Sequence, residues 1–189
     1  MLIGDSICLG YRPLVAERLA GQAIVAGPER NCGDSSSVLK HLDRWVVQEQ
    51  PALVHLNCGL HDVRRSRADG TYQVDPGRYE ANLREIVRRI EAVLVFATTT
   101  PVVDERHAER HIGFDRFEAD VRRYNEAAKR VMREAGVPVN DLHGVVLTGG
   151  PERLLGRDGT HPSPAGNERL AEAVADLVRR QAARLGSHS

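Results

Sequence analysis

The chain opens with Met1-Leu2-Ile3-Gly4-Asp5-Ser6, and this stretch decides how the rest of the fold is arranged. Leu2 and Ile3 predict the end of a buried strand, and the turn that follows places the hydroxyl of Ser6 at the strand's carboxyl end. In open α/β sheets this end is where ligands bind and chemistry takes place. Ser6 is therefore either a helix-capping serine or a candidate nucleophile. The second interpretation requires a base, an orienting carboxylate and oxyanion donors elsewhere in the chain.

Downstream of this turn, short apolar segments alternate with segments of helical spacing. Strands are predicted at 23–26, 52–58, 93–97 and 137–142, and irregular polar loops at 63–75 and 102–113. Helices are predicted at 12–20, where Pro13 starts the helix, at 38–46, 79–90 and 117–131, and from Pro164 to Gln181. This alternation predicts a three-layer α/β/α sandwich around a five-stranded parallel sheet in flavodoxin-like order. Residues 1–185 are expected to form one domain, and residues 186–189 a disordered tail.

The charge balance of the chain disfavours a nucleic-acid partner. The 26 Lys and Arg residues equal the 26 Asp and Glu residues, so the formal net charge is zero. Because nucleic-acid binding usually needs a basic face, no nucleic-acid partner is expected. Arginines such as Arg84 and Arg122 lie at helical spacing among acids and are interpreted as solvated helix faces.

Targeting signals and cysteines give only weak indications of location. No apolar stretch approaches the roughly 18 residues that a membrane-spanning helix needs, so no membrane span is expected. Without a signal peptide in this numbering, a cytoplasmic location is expected, although a chain that begins inside its first strand leaves secretion open. Cys8, Cys32 and Cys58 make an odd count, which does not suggest a disulfide framework.

Loops at the carboxyl ends of the predicted strands should meet at one edge of the sheet, together with a loop before the last helix. That last loop reads Asp158-Gly159-Thr160-His161. Asp158 is close enough in sequence to accept the Nδ1 proton of His161, which would leave Nε2 to act as a base toward Ser6. In the loop after the second strand, Gly33 would let a backbone N–H approach a developing oxyanion.

Four blocks of the chain, in this order, resemble the GDSL, or SGNH, hydrolase superfamily of esterases and acylhydrolases. They are Gly4-Asp5-Ser6, Asn31-Cys32-Gly33-Asp34, Gly59-Leu60-His61-Asp62 and Asp158-Gly159-Thr160-His161-Pro162. The resemblance implies a serine hydrolase that works through an acyl-enzyme and needs no cofactor. It also implies that Ser6 is the nucleophile, that His161 is the base and Asp158 its orienting group, and that Ser6 and Gly33 supply oxyanion N–H donors.

The third block departs from the family pattern at His61, where the superfamily carries an asparagine that donates to the oxyanion. Three alternatives stay open: His61 donates through a ring N–H, Asn57 substitutes for it, or this donor is missing. Asp5 and Asp62 are predicted to support the site by stabilising their own turns.

Other reactive side chains are interpreted as structural. His107 and His111 are four residues apart, but catalytic zinc uses three protein ligands and no third one is evident, so no metal site is predicted. The three cysteines lie in or within two residues of the family blocks. Because the first block already supplies a serine nucleophile, they are interpreted as small buried residues behind the site.

The predicted function is hydrolysis of short acyl esters, with O-acetyl groups on carbohydrates favoured. The strand end at Thr98-Thr99-Thr100-Pro101 and the pair Tyr124-Asn125 resemble superfamily members that act on small or carbohydrate esters. A chain without a long insertion also favours an open, shallow site. The alternatives are a thioesterase or lysophospholipase of the same superfamily, or a catalytically silent carbohydrate-binding domain. The expected partner is a small-molecule or carbohydrate ester, and the oligomeric state is left open.

Overall fold

The computed structural model describes residues 1–186. The strands are β1 Leu2–Ile3, β2 Leu53–Asn57, β3 Arg65–Ser66, β4 Val93–Ala97, β5 Phe114–Asp115 and β6 Val139–Asn140. The helices are α1 Ser6–Arg18, α2 Ser35–Leu42, α3 Pro76–Arg89, α4 Asp104–Ala108, α5 Glu118–Glu134, α6 Leu142–Gly149, α7 Pro151–Leu154 and α8 Pro164–Gly186. A π-helical turn at Asp43–Val47 extends α2.

The main sheet is parallel and has the order β1-β2-β4-β6. Its register places Leu2 opposite His55, Leu53 opposite Val93, and Phe96 opposite Val139. Helices pack in two groups, α1 with α8 and α2 with α3 and α5, so that the sheet lies between two helical layers. The predicted α/β/α sandwich is therefore confirmed.

The sheet has four strands, so the prediction of five is wrong at residues 23–26. This segment lies along the outer side of β1, but it makes only one backbone hydrogen bond to it, from the N–H of Leu2 to the carbonyl of Ala26 at 2.7 Å. Ile24 is 95% exposed, because no helix covers this edge. Only Val25 packs against the core, and the segment forms no strand. Its position outside β1 nevertheless matches the edge place of the flavodoxin-like order.

Helix α1 begins at Ser6, earlier than the predicted start near Pro13. Asp5 is its N-cap, and the Asp5 carboxylate accepts the backbone N–H of Ile7 at 2.9 Å. Pro13 lies inside the helix rather than at its start. The cap is therefore supplied by Asp5, and Ser6 is the first helical residue instead of a capping one.

Two segments predicted as irregular loops contain regular structure. β3, in the first of them, forms a small antiparallel sheet with β5, which lies just beyond the second; Arg65 is opposite Asp115 and Ser66 opposite Phe114. α4 lies within the second predicted loop. Strands of two residues are too short to leave an alternating pattern in the sequence, so periodicity could not predict them.

The last helix covers most of the C-terminal region. Ser163 caps it, because the Ser163 hydroxyl oxygen accepts the backbone N–H of Gly166 at 3.1 Å. The helix reaches Gly186, the first residue of the predicted tail, and residues 187–189 of that tail lie outside the described residues. Within the described part of the chain, no helix is long and apolar enough to cross a membrane.

Candidate active site

The structure brings Ser6, Asp158 and His161 together from opposite ends of the chain. Ser6 Oγ lies 3.0 Å from His161 Nε2, and His161 Nδ1 lies 2.5 Å from Asp158 Oδ2. The other carboxylate oxygen of Asp158 accepts the backbone N–H groups of Thr160 at 3.0 Å and of His161 at 2.9 Å. Burial works against ionisation of Asp158, but these hydrogen bonds prevail and lower its pKa to about 2. The carboxylate is thus charged and can hold the imidazole with Nε2 toward Ser6.

The loop around His161 is held by close backbone packing. The N–H of Gly156 donates to the carbonyl of His161 at 2.7 Å, and the N–H of Val103 donates to the carbonyl of Gly159 at 2.8 Å. Gly159 has a φ of +65°, and a Cβ there would lie 2.6 Å from the Val103 carbonyl oxygen. Because a side chain at this position would be strained and would clash, the loop requires glycine between Asp158 and His161.

The backbone N–H of Gly33 is already engaged in this structure. Gly33 has a φ of +73° and donates its N–H to Asn31 Oδ1 at 2.8 Å. The preceding N–H, of Cys32, donates to the carbonyl of Gly4 at 3.1 Å and fixes this loop against the nucleophile turn. The Gly33 donor is therefore in the neighbourhood of Ser6, with the Asn31 amide as its present acceptor.

His61 faces two hydrogen-bond donors. Its Nε2 lies 3.4 Å from Asn31 Nδ2 and 3.4 Å from Arg64 Nη2. Because both partners can only donate, Nε2 accepts and the ring proton is assigned to Nδ1. Burial, with Arg64 and Arg116 nearby, lowers the pKa of His61 to about 4, so the ring is neutral at about pH 7. A single N–H donor, Nδ1–H, is left on His61.

Both amide hydrogens of Asn57 are donated to backbone carbonyls at the end of β4. Its Nδ2 donates to the carbonyl of Ala97 at 3.1 Å and to the carbonyl of Thr98 at 3.3 Å. An amide nitrogen carries two hydrogens, so neither is left for an oxyanion. The structure therefore gives Asn57 a bridging role between β2 and β4.

The two supporting carboxylates are buried. Asp5 caps α1, and burial raises its pKa while Arg116 and His161 act in the opposite direction. Asp62 accepts the backbone N–H of Ser35 at 3.0 Å and the Ser35 hydroxyl at 2.5 Å. Burial raises the pKa of Asp62 to about 7. Asp5 thus fixes the turn before α1, and Asp62 fixes the start of α2.

The remaining histidine and cysteine candidates have structural surroundings. His107 is buried, with Nδ1 3.2 Å from the Thr160 hydroxyl, whereas His111 is exposed. Within residues 1–186 no group of three or more His, Cys, Asp or Glu residues could hold a metal ion. All three cysteines are buried and free. Burial raises the pKa of Cys8 to about 12, so a thiolate nucleophile is disfavoured there.

Sequence patterns missed three arginines beside the site. Arg64 approaches His61, Arg110 Nη1 lies 3.7 Å from Asp158 Oδ2, and the buried Arg116 donates from Nε to the carbonyl of Leu60 at 2.7 Å. All three come from segments without helical or strand periodicity. Only an arginine flanked by aromatic residues, as Arg116 is by Phe114 and Phe117, could have indicated a packed role.

This geometry agrees with the family comparison. The model of the GDSL-like Lipase/Acylhydrolase family matches residues 2–169 of the chain. The chain belongs to this family. It is accordingly a carboxylic ester hydrolase, and the resemblance seen in the four sequence blocks is confirmed.

Solved structures share the fold of this hydrolase at low sequence identity. An acetyl xylan esterase is 20% identical, with a TM-score of 0.76 over 94% of this chain and 98% of that chain. A lipase/acylhydrolase from Enterococcus faecalis is 22% identical, with a TM-score of 0.76 over 95% of this chain and 94% of that chain. An acetyl-xylooligosaccharide esterase from Geobacillus is 21% identical, with a TM-score of 0.70 over 92% of this chain and 90% of that chain. No curated protein matches the chain.

Proposed function

We propose that this hydrolase is a serine esterase that removes short acyl groups, acetyl above all, from carbohydrate esters. The observation that carries the proposal is the hydrogen-bonded series from Ser6 Oγ to His161 Nε2 at 3.0 Å and from His161 Nδ1 to Asp158 Oδ2 at 2.5 Å. A hydroxyl, a base and an orienting carboxylate in this order are the parts that nucleophilic acyl transfer needs.

In the proposed mechanism His161 Nε2 takes the proton of Ser6 as Oγ attacks the ester carbonyl carbon. The tetrahedral intermediate then collapses, and His161 returns the proton to the leaving alcohol oxygen. Water, deprotonated by His161, then attacks the acyl carbonyl carbon of acyl-Ser6. The bond to Ser6 Oγ breaks, His161 returns the proton to Oγ, and the carboxylic acid is released. Asp158 stays ionised throughout and stabilises the imidazolium that forms at each step.

The oxyanion is proposed to be stabilised by donors from three loops. Ser6 is the first residue of α1, where a helix leaves its N–H groups without intrahelical acceptors. The Gly33 N–H joins it by exchanging Asn31 Oδ1 for the oxyanion. His61 Nδ1–H is the third donor and takes the place of the family's asparagine. This assignment follows from the Nε2 contacts of His61, which leave Nδ1 as its one donor.

The preference for a carbohydrate alcohol is supported by a cavity beside Arg64, whose Nη2 lies 3.4 Å from His61 Nε2. It has a volume of about 240 Å³ and is lined by Arg64, Ser66, Thr71, Tyr72, Gln73, Gly113 and Phe114. Hydroxyl, amide and guanidinium groups with two aromatic rings suit a polyhydroxylated ligand better than a long acyl chain. Two of the structural neighbours are named as esterases of acetylated xylan or xylooligosaccharides, which favours the same alcohol class.

The direct test of the nucleophile compares wild type with Ser6→Ala on 4-nitrophenyl acetate and with an organophosphonate label. We expect one covalent adduct on Ser6 and loss of hydrolysis in Ser6→Ala by roughly 10⁴-fold or more. Ser36→Ala, which changes an exposed serine of α2, is the matched control and should keep both the adduct and the rate. Labelling that persists in Ser6→Ala would refute the assignment, and an inert wild type would favour the silent binding domain.

The acyl preference is tested with acetyl, butyryl and octanoyl esters of one alcohol. We expect kcat/KM to fall with chain length, because the loops that carry Asn31, Gly33 and His61 present polar groups to the site rather than an apolar surface for a long acyl tail. A rise of roughly tenfold toward octanoyl, which corresponds to about 1.4 kcal/mol of extra transition-state binding, would favour the lysophospholipase alternative.

A further inference from the structure

Three arginines lie beside the candidate active site. The terminal guanidinium nitrogens of Arg64, Arg110 and Arg116 make no polar contact shorter than 3.4 Å to any described residue, and the nearest carboxylate is Asp158, at 3.7 Å from Arg110. Some arginines elsewhere are closely paired, as Arg88 is with Glu85 at 2.6 Å. Others that have no partner among the described residues, such as Arg44, are exposed to solvent. The three arginines beside the site differ from both groups, because they are at least partly buried while their terminal nitrogens lack close partners.

Arg116 is the most unusual of the three, because it is only 4% exposed. Its Nε donates to the carbonyl of Leu60, but within residues 1–186 its two terminal nitrogens have no hydrogen-bond partner. Burial lowers its pKa to about 9, and neighbouring Arg64 and Arg110 act in the same direction. A buried charge is costly unless it is paired. The fold therefore maintains an arrangement whose cost an anion would remove.

Phe114 holds two of the guanidinium groups in place. The guanidinium carbon of Arg64 lies 4.4 Å from the centre of the Phe114 ring, and that of Arg116 lies 4.8 Å from it. Stacking on an aromatic ring orients the planar donor fork without using its N–H groups. Both forks are therefore positioned. The terminal nitrogens of Arg116 have no partner among the described residues, and each terminal nitrogen of Arg64 makes one long contact and keeps a second hydrogen for a ligand.

Nearby carboxylates do not supply the missing partner. Asp5 caps α1, Asp34 accepts the Ser37 N–H as the cap of α2, and Asp158 is committed to His161. Asp5 Oδ1 is the capping oxygen, and Asp5 Oδ2 has no hydrogen-bond partner among the described residues, so this carboxylate does not bond an arginine either. None of these acids makes a close contact with the terminal nitrogens of the three arginines, so these donors point to a ligand.

The three arginines lie close to the place where the substrate would bind. Arg64 Nη2 lies 3.4 Å from His61 on the oxyanion loop and Arg110 Nη1 lies 3.7 Å from Asp158. Arg64 and Phe114 also line the cavity assigned to the alcohol. A group bound by these arginines would thus lie in the part of the substrate next to the scissile ester.

We infer that the ester substrate carries an anionic group, a carboxylate or a sulfate on its sugar, that binds between Arg64, Arg110 and Arg116. This inference rests on the proposed esterase function and names its substrate class. Planar arginine forks bind carboxylate and sulfate oxygens through paired N–H···O bonds, which gives both affinity and orientation. Acidic acetylated saccharides are therefore the substrates, and neutral acetyl esters are hydrolysed without this contribution.

Binding tests the inference independently of catalysis. Ser6→Ala protein is titrated by calorimetry with methyl glucuronoside, with its uncharged primary amide and with methyl 6-O-sulfoglucoside. We expect the acid or the sulfate to bind at least roughly tenfold more tightly than the amide, since hydrogen bonds to charged groups are the strong ones. The tighter of the two identifies the anion. Equal affinity for all three ligands, or binding of none, overturns the inference.

Arginine variants locate the effect. In the same titration Arg64→Gln and Arg110→Gln should each reduce the preference for the anion roughly tenfold, and Arg116→Gln should do so if it folds. Arg84→Gln changes an exposed arginine that pairs with Glu134, and it should leave the preference unchanged. The preference should also weaken from about 0.05 M to about 0.5 M salt. A preference that survives Arg64→Gln and Arg110→Gln would place the anion elsewhere and refute the site.

Kinetics then separate this inference from the proposed function. Wild type is assayed on the O-acetylated forms of the glucuronoside and of its amide, and kcat/KM should favour the acid. If wild type hydrolyses neither ester while Ser6→Ala still prefers the acid, the esterase proposal fails and the anion site stands. If both esters are hydrolysed equally and neither product binds preferentially, the esterase proposal stands and the anion site fails.

Discussion

The two sides of the candidate site are built in different ways. On the base side, the loop 156–162, Asp158 and His161 hold each other through one side-chain and one backbone hydrogen bond. The oxyanion side consists of the loops that carry Asn31, Gly33 and His61. There the Gly33 N–H donates to Asn31 Oδ1, and Asn31 Nδ2 lies 3.4 Å from His61 Nε2. In the proposed mechanism the base side is therefore already assembled, whereas the Gly33 N–H must exchange its acceptor when substrate binds.

The pKa values of one carboxylate on each side shift in opposite directions, although burial by itself raises both. Asp158 receives the His161 ring and two backbone N–H groups, and its pKa falls to about 2 despite partial burial. Asp62 lies behind the oxyanion loops and receives only Ser35, so burial prevails and raises its pKa to about 7. An aspartate is therefore ionised at about pH 7 where it holds the His161 ring, whereas the aspartate that supports a turn has a pKa close to 7.

The largest effect should follow from damage to the base side. Asp158→Asn removes the charge that orients His161 and is expected to lower kcat by about 10⁴-fold with the fold intact. The exposed Asp69 gives a control, because Asp69→Asn should keep the wild-type rate. Steady-state kinetics with circular dichroism measure both. Near-normal turnover in Asp158→Asn would mean that backbone contacts alone orient the base.

Removal of the unusual oxyanion donor should have the next largest effect. His61→Ala is expected to lower kcat by roughly 10²–10³-fold with little change in KM, because the interaction forms only in the transition state. His61→Asn should recover much of the rate by restoring a side-chain N–H. If His61→Ala raised KM at unchanged kcat, His61 would be a substrate-binding residue.

Asn31 tests whether the oxyanion side must exchange partners. Asn31→Asp keeps an acceptor for the Gly33 N–H but replaces the amide N–H groups with a negative charge next to the developing oxyanion. We expect kcat to fall roughly tenfold in Asn31→Asp, and less in Asn31→Ala, which adds no charge. Equal rates in the two variants would show that the Asn31 side chain leaves the site before reaction.

The pH dependence of stability should give the smallest effect, and it should have opposite signs on the two sides. Because the pKa of Asp158 is lowered on folding, its contribution to stability is present above about pH 4 and is lost as pH falls toward about 2. Because the pKa of Asp62 is raised, its contribution is complete below about pH 4 and is lost as pH rises to about 7.

Melting temperatures measured against pH check these signs. Asp158→Asn should flatten the profile below about pH 4, and Asp62→Asn should flatten it between about pH 4 and about pH 7. Glu91→Gln serves as the control, because Glu91 is exposed and makes no hydrogen bond or ion pair with the described residues. A profile for Asp62→Asn parallel to wild type would show that this carboxyl is ionised in the folded chain throughout.

The base side was accessible to sequence reasoning because its key contact is local. Asp158 and His161 are three residues apart with a glycine between them, so backbone geometry alone brings them together. Apolar strand runs and helical spacing likewise predicted the sandwich. The edge segment 23–26 was mispredicted because its apolar pattern is real, but no layer covers it.

The oxyanion side was accessible only in part. The resemblance to the hydrolase family located Gly33 and His61, but nothing in the residue pattern indicated that Asn31 occupies the Gly33 N–H. Arg64 and Arg110 lay in segments predicted as irregular, and Arg116 lies just beyond the second of them. The two-residue strands β3 and β5 leave no periodic signature there. Their convergence depends on pairing between residues about fifty positions apart, which composition does not report.

The sequence by itself determined the layer architecture, the family and the local Asp158–His161 unit, because each depends on contacts between near neighbours or on repeated burial patterns. Only the tertiary structure decided where Ser6 lies relative to that unit, which nitrogen of His61 keeps a free proton and that two arginines stack on one aromatic ring. These features depend on the packing of distant segments, whose burial and unpaired donors follow from the assembled fold and not from any single stretch of chain.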